Sequence, residues 1–364
     1  MSDDKAGGQS WLFEPIELRD VKVRNRIMVS PMCQYCAPNG APTDWHFVHL
    51  GSRAVGGAGI VMTEATAVDP AGRMTPYDVG LWSDEQESAF RRITGFVSKQ
   101  GAVPGIQLGH AGRKASRMRP WEGRRSLGLK EGGWEVIGPS ALPWEEGDLI
   151  PREMAPIDIE QVILKFQDAA KRALRTGFRL IEVHAAHGYL LHSFLSPLSN
   201  RRSDGYGGDF NGRVRFLLET VQAIRSVWPL ELPLFVRISA TDWIEGGWQV
   251  SDTVQLAKRL KPLGVDVIDC SSGGNAPGIE IPLEQGYQVC FAETVRRESD
   301  IRTAAIGLIR EPHFAEEIIS KGRADIVVIG RMALWDPYWP HHAAKALKTG
   351  MKLPVQYERS NIFD

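Results

Sequence analysis

Three residues able to donate hydrogen bonds or carry protons crowd one stretch, Arg179-Leu-Ile-Glu-Val-His184-Ala-Ala-His187-Gly-Tyr189. The short apolar run up to Val183 has strand length, and Gly177 closes the helical pattern before it. The strand delivers His184 at its C-terminal end. His187 and Tyr189 follow within a turn broken by Gly188. Two imidazoles and a phenol there could ligate a metal, exchange protons or polarise an oxygen. Singly, each has an ordinary use, a histidine on a backbone carbonyl or a tyrosine capping an apolar patch. All three together exceed what packing asks for.

The elements that must position them repeat along the chain. Apolar runs fall at 26–30, 59–63, 103–108, 180–183, 234–238, 265–269, 303–306 and 325–329. Helical patterns separate them: Ile159, Val162, Ile163, Phe166, Ala169, Ala170 and Ala173 mark one buried face. Pro156 suits the first turn of that helix, with Ala155 a poor cap. A second such helix runs from 214 to 228. Eight alternations of this kind read as an α/β fold, a single (β/α)8 TIM barrel. A doubly wound open sheet would want a glycine-rich fingerprint after its first strand, where this chain has Pro31-Met32-Cys33-Gln34. Barrel sites are built at strand C-termini. These carry Ser30, Pro31, Met32 and Cys33 with Tyr35 beyond, then Glu64 and Ala65, Gln107 and His110, the histidine pair, Arg237, Ser271 to Gly274, Gly307, and Gly330 with Arg331. Glycines on the last strands with an adjacent arginine suit a phosphate, and the whole set suits a long phosphorylated cofactor across the mouth. The connection from about 111 to 155 is long enough to be a lid. Residues 1–10 are expected to be a disordered tail and 11–364 one domain.

Composition narrows the function. The chain has 364 residues, a net charge of -1 and 43% hydrophobic residues. It lacks the basic surface that nucleic acid needs. No apolar run suits a membrane span, the start is unlike a signal peptide, and four cysteines fit a reducing cytoplasm. Several of the eleven tryptophans (Trp45, Trp121, Trp144, Trp243, Trp335) fall in expected loops, as aromatic walls for a pocket. No metal site is expected. Cys33-Gln-Tyr-Cys36 has no second pair, since Cys270 and Cys290 are isolated. His46 and His49 are one helical turn apart at a helix start, where capping and packing account for them. Glu182 is expected to point the opposite way from its strand neighbours, away from the histidines. A Schiff-base aldolase on this barrel would have to use Lys114, which sits in a basic loop rather than at a strand end. A non-catalytic scaffold would have no reason to keep the donor cluster.

The motifs Ser30-Pro-Met-Cys-Gln-Tyr35, Asp44-Trp-His-Phe-Val-His-Leu50, Gly109-His-Ala-Gly-Arg-Lys114 and His184-Ala-Ala-His-Gly-Tyr189 resemble those of the old yellow enzyme family of flavin-dependent ene-reductases. Asn200 to Gly208, Gly322-Arg-Ala-Asp325 and Gly330-Arg331 continue the likeness in family order, from about Leu12 to the C-terminus. Cys33, Tyr35 and the tail Pro354-Val-Gln-Tyr-Glu-Arg359 are most similar to the thermophilic-like, xenobiotic reductase branch. The resemblance implies non-covalent FMN, with NAD(P)H as hydride donor, NADPH favoured, and activated alkenes as substrates in a ping-pong cycle. It places Ser30, Pro31, Met32, Cys33 and Ala65 along the isoalloxazine, Gln107 and Arg237 on its pyrimidine edge, and Gly307, Gly330 and Arg331 on the phosphate. His184 and His187 would hold the substrate carbonyl oxygen, Tyr35 would orient the substrate, and Tyr189 or solvent would supply a proton. It further implies a homodimer or homotetramer in which Arg359, with Tyr357, reaches a neighbour's site from an interface tail at 352–364. One departure is Gly212, where the family usually has asparagine; a changed helix cap is expected. An iron–sulfur branch of the family would need a cysteine cluster and several hundred more residues.

Overall fold

The eight apolar runs become eight parallel strands: β1 (Ile27–Val29), β2 (Ile60–Ala67), β3 (Val103–Gly109), β4 (Leu180–Ala185), β5 (Leu234–Ser239), β6 (Val267–Ser271), β7 (Arg302–Ala305) and β8 (Ile326–Ile329). In this computed structural model, which describes residues 10–363, they close in chain order, with β8 pairing β1 through Val327 and Ile27. Nearly every strand position is buried, because side chains fill the interior and helices cover the outside.

The helices are α1 (Asp44–Val55), α2 (Asp84–Lys99), α3 (Pro156–Arg175), the short α4 (Leu190–Leu195), α5 (Phe210–Arg225), α6 (Val250–Leu260), α7 (Val289–Ser299), α8 (Pro312–Ser320), α9 (Arg331–Trp335) and α10 (Trp339–Ala346). On α3 the stripe Ile159, Val162, Phe166, Ala169, Ala170 and Ala173 is buried as its spacing requires. Each large apolar side chain so removed from water is worth roughly 1.5–3 kcal/mol. Ala155 offers no cap, and the Asp158 carboxylate accepts from the Ala155 N–H at 2.8 Å instead. Helix α5 is capped by Asp209, which accepts from the Gly212 N–H at 3.0 Å. The missing asparagine thus costs no cap. A Cβ on residue 212 would lie 2.0 Å from the Gly207 carbonyl oxygen, so only glycine fits.

An antiparallel pair, Ile16–Leu18 with Val21–Val23, precedes the barrel. Arg19 in its turn pairs with Asp266 and donates to the Gly264 carbonyl, which places the hairpin at the N-terminal end, opposite the site. Residues 1–9 of the expected tail lie outside the described residues. Ser10 is buried, and its hydroxyl donates to Glu316. Two tryptophans assigned to loops are helical, Trp45 in the first turn of α1 and Trp335 at the end of α9. Among the described residues no helix is long and apolar enough to cross a membrane.

Candidate active site at the C-terminal mouth of the barrel

Strand β4 carries His184 to the mouth beside Arg237 of β5, its registered partner. The rings of His184 and His187 stand edge to face with centroids 5.2 Å apart, and Tyr189 lies 5.0 Å from His184. The turn that brings them together is unusual. His187 has φ +60, a left-handed conformation uncommon outside glycine. Gly188 follows at φ +73, where a Cβ would meet the Gly274 carbonyl oxygen at 2.4 Å. The His187 N–H donates to Ser239 Oγ at 2.9 Å, and its Nε2 meets Ser271 Oγ at 2.7 Å. Burial first, then the nearby positive charges, hold both imidazoles well below the usual histidine range. Each is therefore neutral, with one N–H to give. The Ser271 hydroxyl also donates to Gln288 Oε1 at 3.4 Å, which links His187 to the far wall of the mouth. His184 Nδ1 is buried without a hydrogen-bond partner.

Tyr189 remains a phenol, because burial drives its ionisation far up. Its hydroxyl donates to Met74 Sδ at 2.7 Å. Asp78 holds Met74 in place by accepting from the Met74 N–H at 2.7 Å and the Thr75 hydroxyl at 2.6 Å. Neither Met74 nor Asp78 could be found from sequence spacing, since their connection to Tyr189 spans two strands and a loop.

Between Met62 and Ala65 the register of β2 against β3 shifts. Such a bulge re-aims side chains. Glu64 there accepts from the Gln34 N–H at 3.0 Å and meets His46 Nε2 at 3.1 Å, tethering the segment that carries Met32, Cys33 and Tyr35. His46 also accepts from the Thr43 N–H at 2.9 Å, so capping is its role, as expected. Cys33, Tyr35, Ala65 and Tyr189 pack against Met74, Ala111, Ala115 and Val136. Cys33 and Cys36 are free thiols, and burial raises both.

Across the mouth, Met32, Ser271, Gly307, Gly330 and Arg331 line a cavity of 610 Å³, within the range of small-molecule and cofactor sites. Tyr287, Gln288, Met332 and Trp335 are among its other walls. Sequence reasoning missed Gln288, whose Oε1 accepts from the Ser272 hydroxyl at 2.6 Å. Arg237 Nη1 donates to Ser30 Oγ at 3.1 Å, and Gln107 Nε2 donates to Glu182 Oε1 at 2.8 Å. The expectation for Glu182 is corrected here. Side chains two apart on a strand share a face, so Glu182 points inward with His184.

The segment after β3 is a folded lid of short 3-10 turns and one strand pair, Ile137–Gly138 with Arg152–Glu153. His110 is used at its start, accepting from the Gly112 N–H at 3.0 Å. Lys114 lies in the basic loop expected of it, in the turn Gly112–Lys114, but is half-buried there, and the loss of water lowers it to about 7. Its Nζ donates to the carbonyls of His187 and Gly274, both at 2.9 Å, and lies 4.3 Å from the Trp144 ring centroid. The lid thus ties down the left-handed histidine.

Arg359 is the one expected site residue not brought to this mouth. It is exposed, in the turn Val355–Phe363, where Tyr357 packs on Tyr338 with ring centroids 6.5 Å apart. Among the described residues no group of three or more histidines, cysteines or carboxylates is placed to hold a metal.

The model of the NADH:flavin oxidoreductase / NADH oxidase family matches residues 11–350. The chain belongs to that family. It is 48% identical over 353 residues to the NADPH dehydrogenase of Geobacillus sp. (strain WCH70), covering 96% of this chain and 98% of that one. Morphinone reductase in complex with tetrahydroNAD superposes with a TM-score of 0.77 at 26% identity, covering 94% of this chain and 95% of that one. A 2-naphthoyl-CoA reductase complex superposes at 0.85 and 26% identity over 93% of this chain, which spans about half (52%) of that protein. The protein is an NAD(P)H-dependent FMN oxidoreductase of the old yellow enzyme type. Its mouth fits that cofactor: a 610 Å³ cavity lined by Gly307, Gly330 and Arg331, with the Gln107 amide, the Arg237 guanidinium and an unpartnered His184 Nδ1 buried at the ends of β3, β5 and β4.

Proposed function

We propose that the enzyme reduces the activated C=C bond of enones, maleimides or nitroalkenes with NADPH in a ping-pong cycle. The observation that carries this reading is the pair of neutral histidines, one with a buried ring nitrogen lacking a partner, beside a phenol kept protonated. Two preset donors withdraw electron density from a carbonyl or nitro oxygen and make the β-carbon electrophilic. When bound, FMN would supply the hydride chemistry that links reduced nicotinamide to the alkene. Ser30, Pro31, Met32, Cys33 and Ala65 would wall it. Gln107 and Arg237 would bind its pyrimidine edge, the guanidinium favouring negative charge there, and Gly307, Gly330 and Arg331 its phosphate. Tyr35 orients the substrate, and Tyr189 places a proton on the α-carbon. The name of the Geobacillus relative supports NADPH over NADH.

Replacing His184 and His187 together by alanine should leave a yellow, FMN-loaded protein whose turnover of cyclohexenone collapses by roughly 10²-fold or more, the size seen when preset donors are removed. Unchanged turnover would refute the assignment. We further propose a cytoplasmic homodimer or homotetramer in which Arg359 reaches a neighbouring mouth. The desolvated Lys114 favours a second reading, Schiff-base chemistry. Borohydride trapping of a carbonyl compound on Lys114 would support it, but two carbonyl partners already hold the amine.

A further inference from the structure

Below the mouth the barrel interior buries two carboxyl groups against one guanidinium. Glu182 of β4 and Asp269 of β6 are 0% exposed, and Arg237 of β5 between them is 4% exposed. The nearest charged contact joins Arg237 Nε to Asp269 Oδ2 at 3.4 Å. Glu182 Oε1 has the Gln107 amide, but Glu182 Oε2 and both Asp269 oxygens have no hydrogen-bond donor. The two carboxyl groups touch each other.

Two ionised carboxylates accept only, so in contact they would repel and leave three buried oxygens unsatisfied. Their total charge with Arg237 would be -1 in a medium that tolerates little net charge. A single proton resolves both problems. On Glu182 it donates to Asp269, and the remaining charges, one cation and one anion, cancel.

We propose that Glu182 is a permanently neutral positioning residue: its carboxyl proton is shared with Asp269, its carbonyl oxygen fixes the Gln107 amide, and Asp269 alone sets how much of the Arg237 charge the bound flavin feels. Burial raises both carboxyl groups, Glu182 the more strongly, in keeping with this assignment. The proposal rests on the reading that Gln107 and Arg237 face the flavin. It adds that the cofactor's potential is tuned from beneath, by a carboxylate the flavin never touches. Glutamine at 182 would mimic the neutral acid, accepting from Gln107 and donating to Asp269. Asparagine at 269 would leave the guanidinium uncompensated and stabilise the anionic reduced flavin.

The test uses two variants and two measurements. Infrared spectra of the FMN-free protein at pH 9, above the Asp78 value of about 7, should show a carboxylic-acid C=O band that Glu182→Gln removes. In the FMN-loaded protein, Glu182→Gln should leave the flavin midpoint potential in place. Asp269→Asn should shift the reduction equilibrium at least tenfold toward reduced flavin, about 30 mV for a two-electron couple. If Glu182→Gln removes no acid band, or raises the potential as Asp269→Asn does, the shared proton is overturned. Should Asp269→Asn fail to fold, both Glu182→Gln results still decide the question. A wild-type protein that binds no FMN would fault the cofactor reading alone, because the infrared band does not depend on flavin.

Discussion

A histidine kept neutral donates one proton and repels none of its cationic neighbours, which suits His184 and His187 beside Arg237. The same burial has a thermodynamic price at low pH. Both imidazoles sit well below their unfolded value near 6.5, as do His49 at about 3 and His110 at about 4. Below pH 6.5 the unfolded chain binds protons that the folded one refuses, so stability falls as pH falls. Each group contributes up to roughly 1.4 kcal/mol per pH unit until its folded value is reached. Asp78, raised to about 7, opposes this with the other sign, stabilising as pH drops below 7. The proton on Glu182 acts in the same sense as that on Asp78, and these two carboxyl groups against five histidines, His341 among them, leave a net loss. Denaturant unfolding at pH 5.5 should give a lower free energy than at pH 7.5, and a His49→Asn variant should flatten the difference. At Tyr189 the expectation is kinetic: Tyr189→Phe should slow alkene reduction by roughly 10²-fold, with flavin reduction by NADPH unchanged in stopped-flow. Equal turnover would assign the proton to solvent.

Elements were legible where one period governed them. The eight strands and the buried face of α3 follow from apolar spacing alone, and strand ends carried Gln107, Arg237 and the histidines to one mouth. What spacing missed depends on distant parts of the chain. Lys114 reads as one charge of a basic loop until the lid folds it onto the His187 carbonyl, and Met74 is an ordinary apolar residue until its sulfur accepts from Tyr189. Glu182 was different, because strand alternation places it beside His184. The misreading counted its nearest neighbours instead of those two away. The helix ends offer a direct check. Gly212→Ala puts a methyl group against the Gly207 carbonyl and should destabilise by about 1–3 kcal/mol. Gly95→Ala, in exposed α2 with nothing within 4 Å of the added carbon, should stabilise by up to about 1 kcal/mol. Thermal melts of the two should move in opposite directions.

At the scale of the whole molecule, two segments lie outside the barrel, the lid after β3 and the C-terminal tail. In the turn Val355–Phe363, Arg359 lies exposed on the surface. If a neighbouring subunit receives it, Arg359→Ala should raise KM for the alkene without bleaching the flavin, and an inert variant would argue against that exchange. The lid acts differently. Because Lys114 pins the carbonyl of a histidine held in a left-handed conformation, loosening the lid releases the donor while the barrel still grips its pigment. Mild chaotrope should therefore abolish turnover before any flavin fluorescence escapes. Such a preparation would keep its full yellow colour and yet be dead, so colour would overcount the working enzyme in an ageing stock.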